Sequence, residues 1–532
     1  MKKRKLLFAP WSGNNKNYAA YQAWYSPLKN IFEEIIIFDP QENIYHYGQY
    51  EMNKKFLELI EKEKPDYIFF LLIYDEFYID TLLKIREISP LTRTINFFGD
   101  DDSLYDNFSR FYSLIIDYHL VSQVENIVRY RKDKIERVFP SFAVNTERFY
   151  QMNLEKVYDV TFIGSPKEDR YKIIKFLKDS GINIKIFGTG WSKYADLNEI
   201  YGGVLDYESL VKVINQSKIN INFTKNRLGI PHFKSRLFEI ASCKSFMISE
   251  YYSGYMRMLK KDIELVMFKD EYDLLDKIKY YLKNENEREK IAELAYKKVI
   301  KYYTQDYEFN KIFRKIFSDE NKKIDREFPN IKEKIIETNK QDLYRNEEEL
   351  AYILKDADYV SFRENSSIIS TRRNYFQMYS LKKSGKDISC CDYNIYSKNL
   401  GIYLGVSAEM SFNKLKPKDF SKVSSISQFV IKKNYLLKNL NNFKEFLNHR
   451  NENFITRENT CFVSIPLISI KKELKLNYDK IDKFCFFRFE NNFRVYKYQK
   501  RLFSSLYIYK LLLKSILKEK FILKHLIKKA NL

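Results

Sequence analysis

The chain has 532 residues, of which 45% are hydrophobic and 17% aromatic, and it carries a formal net charge of +22. At about 100–200 residues per domain this length allows about three domains, and the composition is too apolar for a disordered chain. No apolar run reaches the roughly 18 residues that a membrane-spanning helix requires. The five cysteines follow no disulfide pattern, which favours a reducing compartment, so we expect a cytoplasmic protein.

Strand-like and helix-like stretches alternate over the first 150 residues. Apolar runs at 5–10, 34–40, 66–74 and 94–99 predict buried strands, and the stretches between them have helical spacing. Strands that are apolar on both faces and separated by helices are typical of a parallel sheet covered on two sides. We therefore predict an α/β, Rossmann-like domain over residues 1–150.

Polar loops follow these strands at the sheet edge where α/β domains bind ligands, at Ser12–Asn15, Asp75-Glu76, Gly99–Asp102 and Ser122-Gln123. Gly13 and Asn14 follow the first strand, and Asp100, Asp101 and Asp102 follow the fourth. Adjacent carboxylates repel each other, so three together need a cation, solvent or a polar substrate. A metal site, a catalytic loop that faces a sugar and a solvated turn all remain open from these residues alone.

A second alternating series runs from residue 151 to 318 and predicts a second Rossmann-like domain, so that two domains in tandem face a cleft. Its first two strands, at 158–166 and 182–191, end in glycine-rich turns. Glycine there permits close approach of the backbone to a ligand, and the alternative is an ordinary strand-to-helix turn. The turn residues that we consider as ligand contacts are Gly164, Ser165, Gly188 and Gly190.

Four stretches of the second series carry a family resemblance: VTFIGS (160–165), IKIFGTGW (184–191), ININFT (219–224) and FKSRLFEIASCKSFMISE (233–250). In this order and spacing they resemble the donor half of GT-B glycosyltransferases of the CgeB-like, glycosyl-transferase-family-1-like group. The resemblance covers about residues 90–315. Over residues 1–90 only the alternating pattern of strands and helices is similar. It implies a GT-B fold, with a nucleotide-sugar donor on the second domain and an acceptor on the first. A helix at 298–313 resembles the family's closing helix, which returns toward the first domain.

The helix predicted at 233–243 has residues that suit a nucleotide-diphosphate sugar. A helix N-terminus offers free N–H groups to a diphosphate, and Lys234 and Arg236 add charge-assisted hydrogen bonds. Thr224 precedes this helix. Glu239 stands where the family's acidic residue accepts from the ribose, and the alternative is a solvated acid beside Arg236. Arg170 matches the family's basic position after FIGS, as a diphosphate contact.

The chain also departs from the group. Lys244 stands where family members usually have Gly, and Pro231 stands where distant relatives have an earlier acid. The way in which the sugar hydroxyls are held is therefore not implied by the resemblance.

The resemblance also changes how the aspartates are interpreted. CgeB-like proteins have a similar acidic pair after this strand, and GT-B enzymes generally bind the diphosphate with positive side chains and helix dipoles instead of a metal. We therefore expect no metal and no cofactor, with Asp100 or Asp101 as a candidate general base for an acceptor hydroxyl. A structural role, such as capping the helix near Ser103–Phe111, is the alternative, and a metal site is a third. His119 and His232 are the other candidate bases.

Residues 319–482 predict an α+β accessory region. YRNEEELAYILKDADYVSFRENSSIISTRRNYFQ (344–377) resembles the middle of a family 2, GT-A glycosyltransferase, with Arg345 and Gln377 in matching positions. Glu364-Asn365-Ser366-Ser367 replaces the acidic cluster, which removes the ligands of a divalent ion. The resemblance implies a degenerate GT-A remnant without its own catalysis, and chance similarity is the alternative.

Residues 483–532 form a basic tail with thirteen Lys or Arg and two Glu. The spacing of its leucines predicts an amphipathic helix at 500–530, which we expect to dock on an anionic membrane surface. The alternative is that the leucines pack on the protein and the lysines are a solvated outer face.

Taken together, these patterns predict a glycosyltransferase that moves a sugar from a nucleotide-sugar to a glycan, lipid-linked or protein acceptor in cell-surface polysaccharide or glycoconjugate synthesis. We expect it in the cytoplasm, at the inner face of the plasma membrane. The alternative is a non-catalytic glycan- or lipid-binding scaffold that keeps the GT-B fold. Nucleic-acid binding is suggested only by charge, since no motif supports it.

Overall fold

The structure is a computed structural model. It describes residues 3–10, 19–72, 76–99, 101–226, 229–320, 322, 324, 334–338, 341–344, 347–363, 367–369, 373–397, 402–406, 429–447 and 460–472. Three predicted site residues, Gly13, Asn14 and Asp100, lie outside these ranges, and so does the whole basic tail. Their roles stay predictions.

A six-stranded parallel sheet forms the first domain. Its strands are β1 (Lys5–Ala9), β2 (Glu34–Ile37), β3 (Tyr67–Phe70), β4 (Arg93–Phe98), β5 (Tyr118–Val121) and β6 (Val138–Pro140). Its helices are α1 (Ala19–Lys29), α2 (Pro40–Glu63), α3 (Ile79–Ile88), α4 (Asp101–Leu104), α5 (Arg110–Ser113) and α6 (Ile127–Lys132), with a π-helical turn at Tyr105–Ser109. The spatial order β2-β1-β3-β4-β5-β6 reverses at β1, and such a reversal opens a crevice at the carboxyl ends of the strands.

Alternation along the strands fills both faces of this sheet. Leu7 and Ile68 belong to the core on one face, whereas Phe8 and Phe69 belong to the core on the other face. All four side chains are fully buried. The prediction of strands that are apolar on both faces is confirmed, and the helices lie on both sides of the sheet as such strands require.

A five-stranded parallel sheet forms the second domain. Its strands are β7 (Tyr158–Ile163), β8 (Ile184–Phe187), β9 (Ser217–Asn222), β10 (Met247–Glu250) and β11 (Val266–Phe268), in the order β11-β10-β9-β7-β8. Its helices are α7 (Glu168–Asp179), α8 (Tyr207–Asn215), α9 (Arg236–Ser242), α10 (Glu271–Lys283) and α11 (Glu285–Tyr302). Two tandem parallel sheets, each covered by helices, make the GT-B architecture that the sequence predicted.

Two crossing segments join the domains. The N–H of Val144 donates to the carbonyl of Tyr303 at 2.9 Å, and the N–H of Gln305 donates to the carbonyl of Val144 at 3.0 Å. After this crossing, α12 (Gln305–Ser318) packs against the first domain, where Phe309 stacks on Trp24 with ring centroids 5.1 Å apart. The chain therefore returns to the first domain before residue 318.

The structure divides the helix that the sequence predicted at 298–313. The helix α11 ends at Tyr302, and α12 begins at Gln305. Thr304 has extended backbone angles and its hydroxyl accepts from the N–H of Tyr307, so it caps a new helix instead of continuing the old one.

A seven-stranded mixed sheet forms the accessory region. Its strands are β12 (Ile335–Thr338), β13 (Tyr359–Phe362), β14 (Ser367–Ile369), β15 (Ile388–Ser397), β16 (Ile402–Val406), β17 (Phe429–Lys432) and β18 (Thr460–Lys472). Its helices are α13 (Glu347–Ile353), α14 (Arg373–Ser384), α15 (Lys433–Lys438) and α16 (Leu440–Leu447). The order is β12-β13-β17-β15-β18-β14, with β16 beside β15. Gln377 is fully buried and donates to the carbonyl of Ser389 at 3.1 Å, which is a structural role.

The accessory region docks on the outside of the first domain through α14. Phe376 and Tyr379 of this helix belong to the apolar core of the first domain, and the ring of Phe376 lies 5.6 Å from that of Phe111. Lys383 pairs with the buried carboxylate of Asp133 at 2.5 Å. In the described ranges, no helix combines the length and apolarity needed to cross a membrane.

Candidate functional site

The carboxyl ends of β7 and β9 bring several predicted donor residues together. Nη1 of Arg170 donates to the carbonyl of Ser165 at 3.1 Å, and its Nη2 donates to the carbonyl of Lys225 at 3.3 Å. Arg170 lies in the first turn of α7, Ser165 follows β7, and Lys225 comes directly after Thr224 at the end of β9. One guanidinium therefore ties the turn after β7 to the turn after β9.

Arg170 is a buried cation at this edge of the sheet. Only 8% of the residue is exposed, and the guanidinium lies 5.8 Å from the ring centre of Phe162 and 5.7 Å from that of Phe223. Burial lowers the pKa of Arg170, while Asp169 and Glu250 oppose that shift. An arginine stays protonated in proteins, so the edge keeps a positive charge. Its Nε has no hydrogen-bond partner among the described residues.

Glu250 is a site residue that the sequence analysis missed. It ends β10, is 5% exposed, and its Oε2 accepts from the N–H of Thr224 at 2.9 Å and from that of Lys225 at 3.3 Å. Its Oε1 pairs with Nζ of Lys225 at 2.7 Å, and this hydrogen bond raises the pKa of Lys225. A charged last residue in the fully buried strand β10 was the available signal.

Three predicted donor residues lie at the start of α9. The helix begins at Arg236, three residues later than predicted, and Lys234 lies just before it. Nη1 of Arg236 pairs with Oε2 of Glu239 at 2.8 Å, and the hydroxyl of Ser235 donates to Oε1 of Glu239 at 2.8 Å. Both carboxylate oxygens of Glu239 therefore already have a partner. Arg236 is its neighbour as the alternative expects, but at 17% side-chain exposure Glu239 is not the solvated acid of that alternative.

Arg148, in the segment that joins the domains, is a second arginine near Glu239. Its guanidinium lies 3.5 Å from the ring centre of Tyr207. Burial lowers the pKa of Arg148, and the contact with Tyr207 and the charge of Glu239 oppose this shift. The sequence analysis did not single out Arg148, because its neighbours come from other elements.

Tyr255 connects the start of α9 to the end of β9. Its buried hydroxyl accepts from the N–H of Lys234 at 3.1 Å and from the side-chain amide of Asn222 at 3.3 Å. Burial raises the pKa of Tyr255, so the hydroxyl stays protonated. The α9 residues and the Arg170 cluster thus belong to one connected edge of the second domain.

The predicted glycines approach one another. Gly188 has φ +130°, and a Cβ on it would lie 2.6 Å from the carbonyl oxygen of Gly164. That oxygen also accepts from Nε1 of Trp191 at 2.6 Å, and Gly190 has φ +93°. Ser165 lies 3.4 Å from Thr189, hydroxyl to hydroxyl. These contacts explain the glycines as turn residues, and a role in ligand approach stays a prediction.

On the acceptor side, Asp101 is the first residue of α4 and is 1% exposed. Its Oδ2 accepts from the hydroxyl of Tyr130 at 3.0 Å. Burial and the charge of Asp101 both raise the pKa of Tyr130, so this tyrosine remains a donor. The contact fits the structural alternative for Asp101, and the general-base prediction for the loop stays open at Asp100.

Both candidate histidines, His119 and His232, are buried. His119 lies within β5, is fully buried, and burial lowers its pKa to about 4. His232 is 4% exposed, and its backbone N–H donates to the carbonyl of Thr224 at 3.2 Å. Within the described residues, no group of three or more His, Cys, Asp or Glu is arranged to hold a metal ion.

Comparison with known families indicates the class of protein. Residues 170–314 match the model of a family described as Glycosyl transferase-like. The match begins at Arg170 and includes α9 and its flanking strands, so the second domain is a glycosyl transferase-like domain. The spore protein CgeB of Bacillus subtilis (strain 168) is 23% identical over 262 residues, which span 46% of this chain and 73% of that protein. The chain is thus similar to CgeB and, over its second domain, to this family, and its two tandem sheets make a GT-B architecture.

Solved structures show a general likeness in fold. Anabaena Alr3699/HepE in complex with UDP-glucose has a TM-score of 0.45 and 10% identity, covering 59% of this chain and all of that chain. Sucrose-phosphate synthase from Thermosynechococcus elongatus has a TM-score of 0.41 and 11% identity, covering 59% of this chain and 89% of that one. Similarities at this level say nothing about which donor this chain uses.

Proposed function

We propose that this glycosyltransferase binds a nucleotide-diphosphate sugar at the carboxyl edge of the second sheet and transfers the sugar to an acceptor at the first domain. The acceptor is a glycan, a lipid-linked glycan or a protein, and the product belongs to a cell-surface polysaccharide or glycoconjugate. The comparison that bears on this cellular role is the 23% identity to a spore protein.

The observation that carries the proposal is the buried cation at Arg170. A diphosphate needs positive charge and N–H donors held in place before it binds, because ordering them afterwards costs affinity. Arg170 is fixed by the carbonyls of Ser165 and Lys225, and Lys225 adds a second cation at the same edge. Lys234, Arg236 and Glu239 are proposed to complete the donor site from α9.

The proposed chemistry needs no metal and no cofactor besides the donor. Positive side chains take the role of a divalent ion at the diphosphate. The acceptor hydroxyl gives its proton to a base on the first domain, and Asp100 is the proposed base.

Calorimetry with UDP, GDP and other nucleoside diphosphates tests the donor site. Arg170→Met should weaken binding by about 1.5–3 kcal/mol, because a charge-assisted hydrogen bond is lost. Arg288→Met is the matched control: Arg288 is also buried, at 4% exposed, but it donates to the carbonyl of Tyr281 at 2.6 Å, away from the sheet edge. Equal affinity of the parent and a folded Arg170→Met variant would contradict the assignment.

A further inference from the structure

Gln123 lies where the two domains meet. It follows β5 at the carboxyl edge of the first sheet and is 3% exposed. Its Nε2 donates to the carbonyl of Phe233 at 3.2 Å, and its Oε1 accepts from the N–H of Phe233 at 3.0 Å. One side chain of the first domain thus binds both backbone polar groups of one residue in the second domain.

The same amide reaches the aspartate loop. Nε2 of Gln123 is 3.4 Å from the carbonyl oxygen of Gly99, the residue before Asp100. The hydroxyl of Ser122 donates to that same carbonyl at 2.8 Å. Gln123 therefore contacts the loop that carries the proposed base and the segment that carries the proposed donor residues.

Phe233 is fixed on its other sides as well. Its ring lies 4.9 Å from that of Phe142 in the joining segment and 5.5 Å from that of Phe238 in α9. The next N–H, of Lys234, donates to the hydroxyl of Tyr255. With the backbone and ring of Phe233 both held, the residues that follow it have little freedom relative to the first domain.

We infer that Gln123 is a positioning residue for the transfer reaction. It holds the segment 233–239 in a fixed place relative to Gly99 at the carboxyl edge of the first sheet, so that the donor side and the acceptor side meet in one geometry. A misplacement of about 1 Å between reacting groups is enough to slow an enzyme by about a hundredfold. The inference rests on the proposed donor site at 234–239.

Two variants separate positioning from packing. Gln123→Met keeps the length of the side chain and removes its hydrogen bonds. Asn215→Leu is the matched control: Asn215 is 2% exposed, its Oδ1 accepts from the N–H of Met152 at 2.8 Å, and its Nδ2 donates to the carbonyl of Tyr150 at 3.1 Å. It lies at the end of α8, on the opposite edge of the sheet from the donor site.

The first measurement is hydrogen exchange of the free, full-length protein, and it does not depend on any activity. The peptide that contains Phe233 should exchange faster in Gln123→Met than in the parent, and Asn215→Leu should leave this peptide unchanged. Unchanged hydrogen exchange of this peptide in a folded Gln123→Met variant would contradict the inference that Gln123 holds Phe233 in place.

The second measurement is the release of nucleoside diphosphate from the donor that the parent hydrolyses. Gln123→Met should lower kcat by up to about a hundredfold, because its hydrogen bonds hold the two sides of the site in place and do not contact the donor. Asn215→Leu should stay within about twofold of the parent at a temperature where both are folded. Faster exchange at Phe233 with an unchanged KM and kcat would refute positioning. A parent that turns over no nucleotide-sugar would instead refute the proposed function.

Discussion

Arg236 and Glu239 are one turn apart on α9, and their ion pair leaves two explanations for both residues. In the first, the pair opens when a donor arrives, and Arg236 meets the diphosphate while Glu239 meets the ribose. In the second, each residue only neutralises the other. The static structure contains the closed pair, with Nη1 and Oε2 2.8 Å apart.

Nucleotide binding distinguishes these explanations. Arg236→Ala should weaken the binding of UDP or GDP by about 1.5–3 kcal/mol and leave the matching nucleoside unaffected, because only the diphosphate is charged. Glu239→Gln should weaken both, since both have a ribose. Calorimetry on each variant gives the dissociation constants. Parent-like affinity in the double variant Arg236→Ala, Glu239→Gln would mean that the two residues serve only each other.

At the scale of elements, one buried carboxylate adds to the apolar docking of α14. Asp133 accepts from Nε of Arg110 at 2.6 Å and from the hydroxyl of Tyr105 at 3.0 Å, and it pairs with Lys383 of α14 at 2.5 Å. Burial alone would raise the pKa of Asp133, but Lys383 and Arg110 together hold that pKa below its ordinary value. The π-helical turn that holds Tyr105 comes directly after the aspartate helix α4.

Removing the lysine should therefore loosen the accessory region. Lys383→Met should lower the free energy of unfolding by about 1–2 kcal/mol at pH 7, a modest amount because Lys383 also reaches solvent. A carboxylate with a lowered folded pKa stabilises above its ordinary pKa, here 3.8, and loses this effect as pH falls through the folded value. The difference between variant and parent in urea unfolding should thus shrink below pH 4.

The exposed Lys438, at the end of α15, provides the control. Lys438→Met removes the same charge from the accessory region without touching Asp133. A loss of stability that is equal in both variants, or that is independent of pH, would contradict the role of the Asp133 pair.

The elements could be predicted from the sequence more completely than the site. Strands such as β3 and β5 are buried along their whole length, so a run of apolar residues marks them directly. Arg170 could be singled out because the resemblance implies a basic position after FIGS, and Arg236 because it stands near the start of a predicted helix. The contact between Gln123 and Phe233 could not be predicted, because the two residues are 110 positions apart in the sequence. Periodicity predicts which face of an element is buried, but not which element packs against it.

At the scale of the whole molecule, the two sheets are joined by the crossing at Val144 and Tyr303, and the accessory region packs on the outside of the first domain. The proposed glycosyl transfer involves the two sheets. The membrane surface is proposed for the basic tail at 483–532, which lies outside the described residues.

Vesicle co-sedimentation tests the tail. Each basic residue near an anionic surface is worth about 1 kcal/mol, so binding should rise with phosphatidylglycerol content and fall with salt. Deletion of residues 500–532 should abolish vesicle binding and leave donor hydrolysis intact. If the truncated protein still sediments with vesicles, or unfolds, the tail is part of the folded core.

The most direct test of glycosyl transfer is turnover of a panel of nucleotide-sugars by the full-length protein in excess EDTA, measured as release of nucleoside diphosphate. The parent should hydrolyse at least one donor without metal, and Arg170→Met should lose that activity while Arg288→Met keeps it. Loss of turnover in EDTA that Mn²⁺ restores would contradict the proposal that positive side chains replace a metal. A folded parent that releases nucleoside diphosphate from no donor, with or without Mn²⁺ and an acceptor extract, would contradict the proposed function itself.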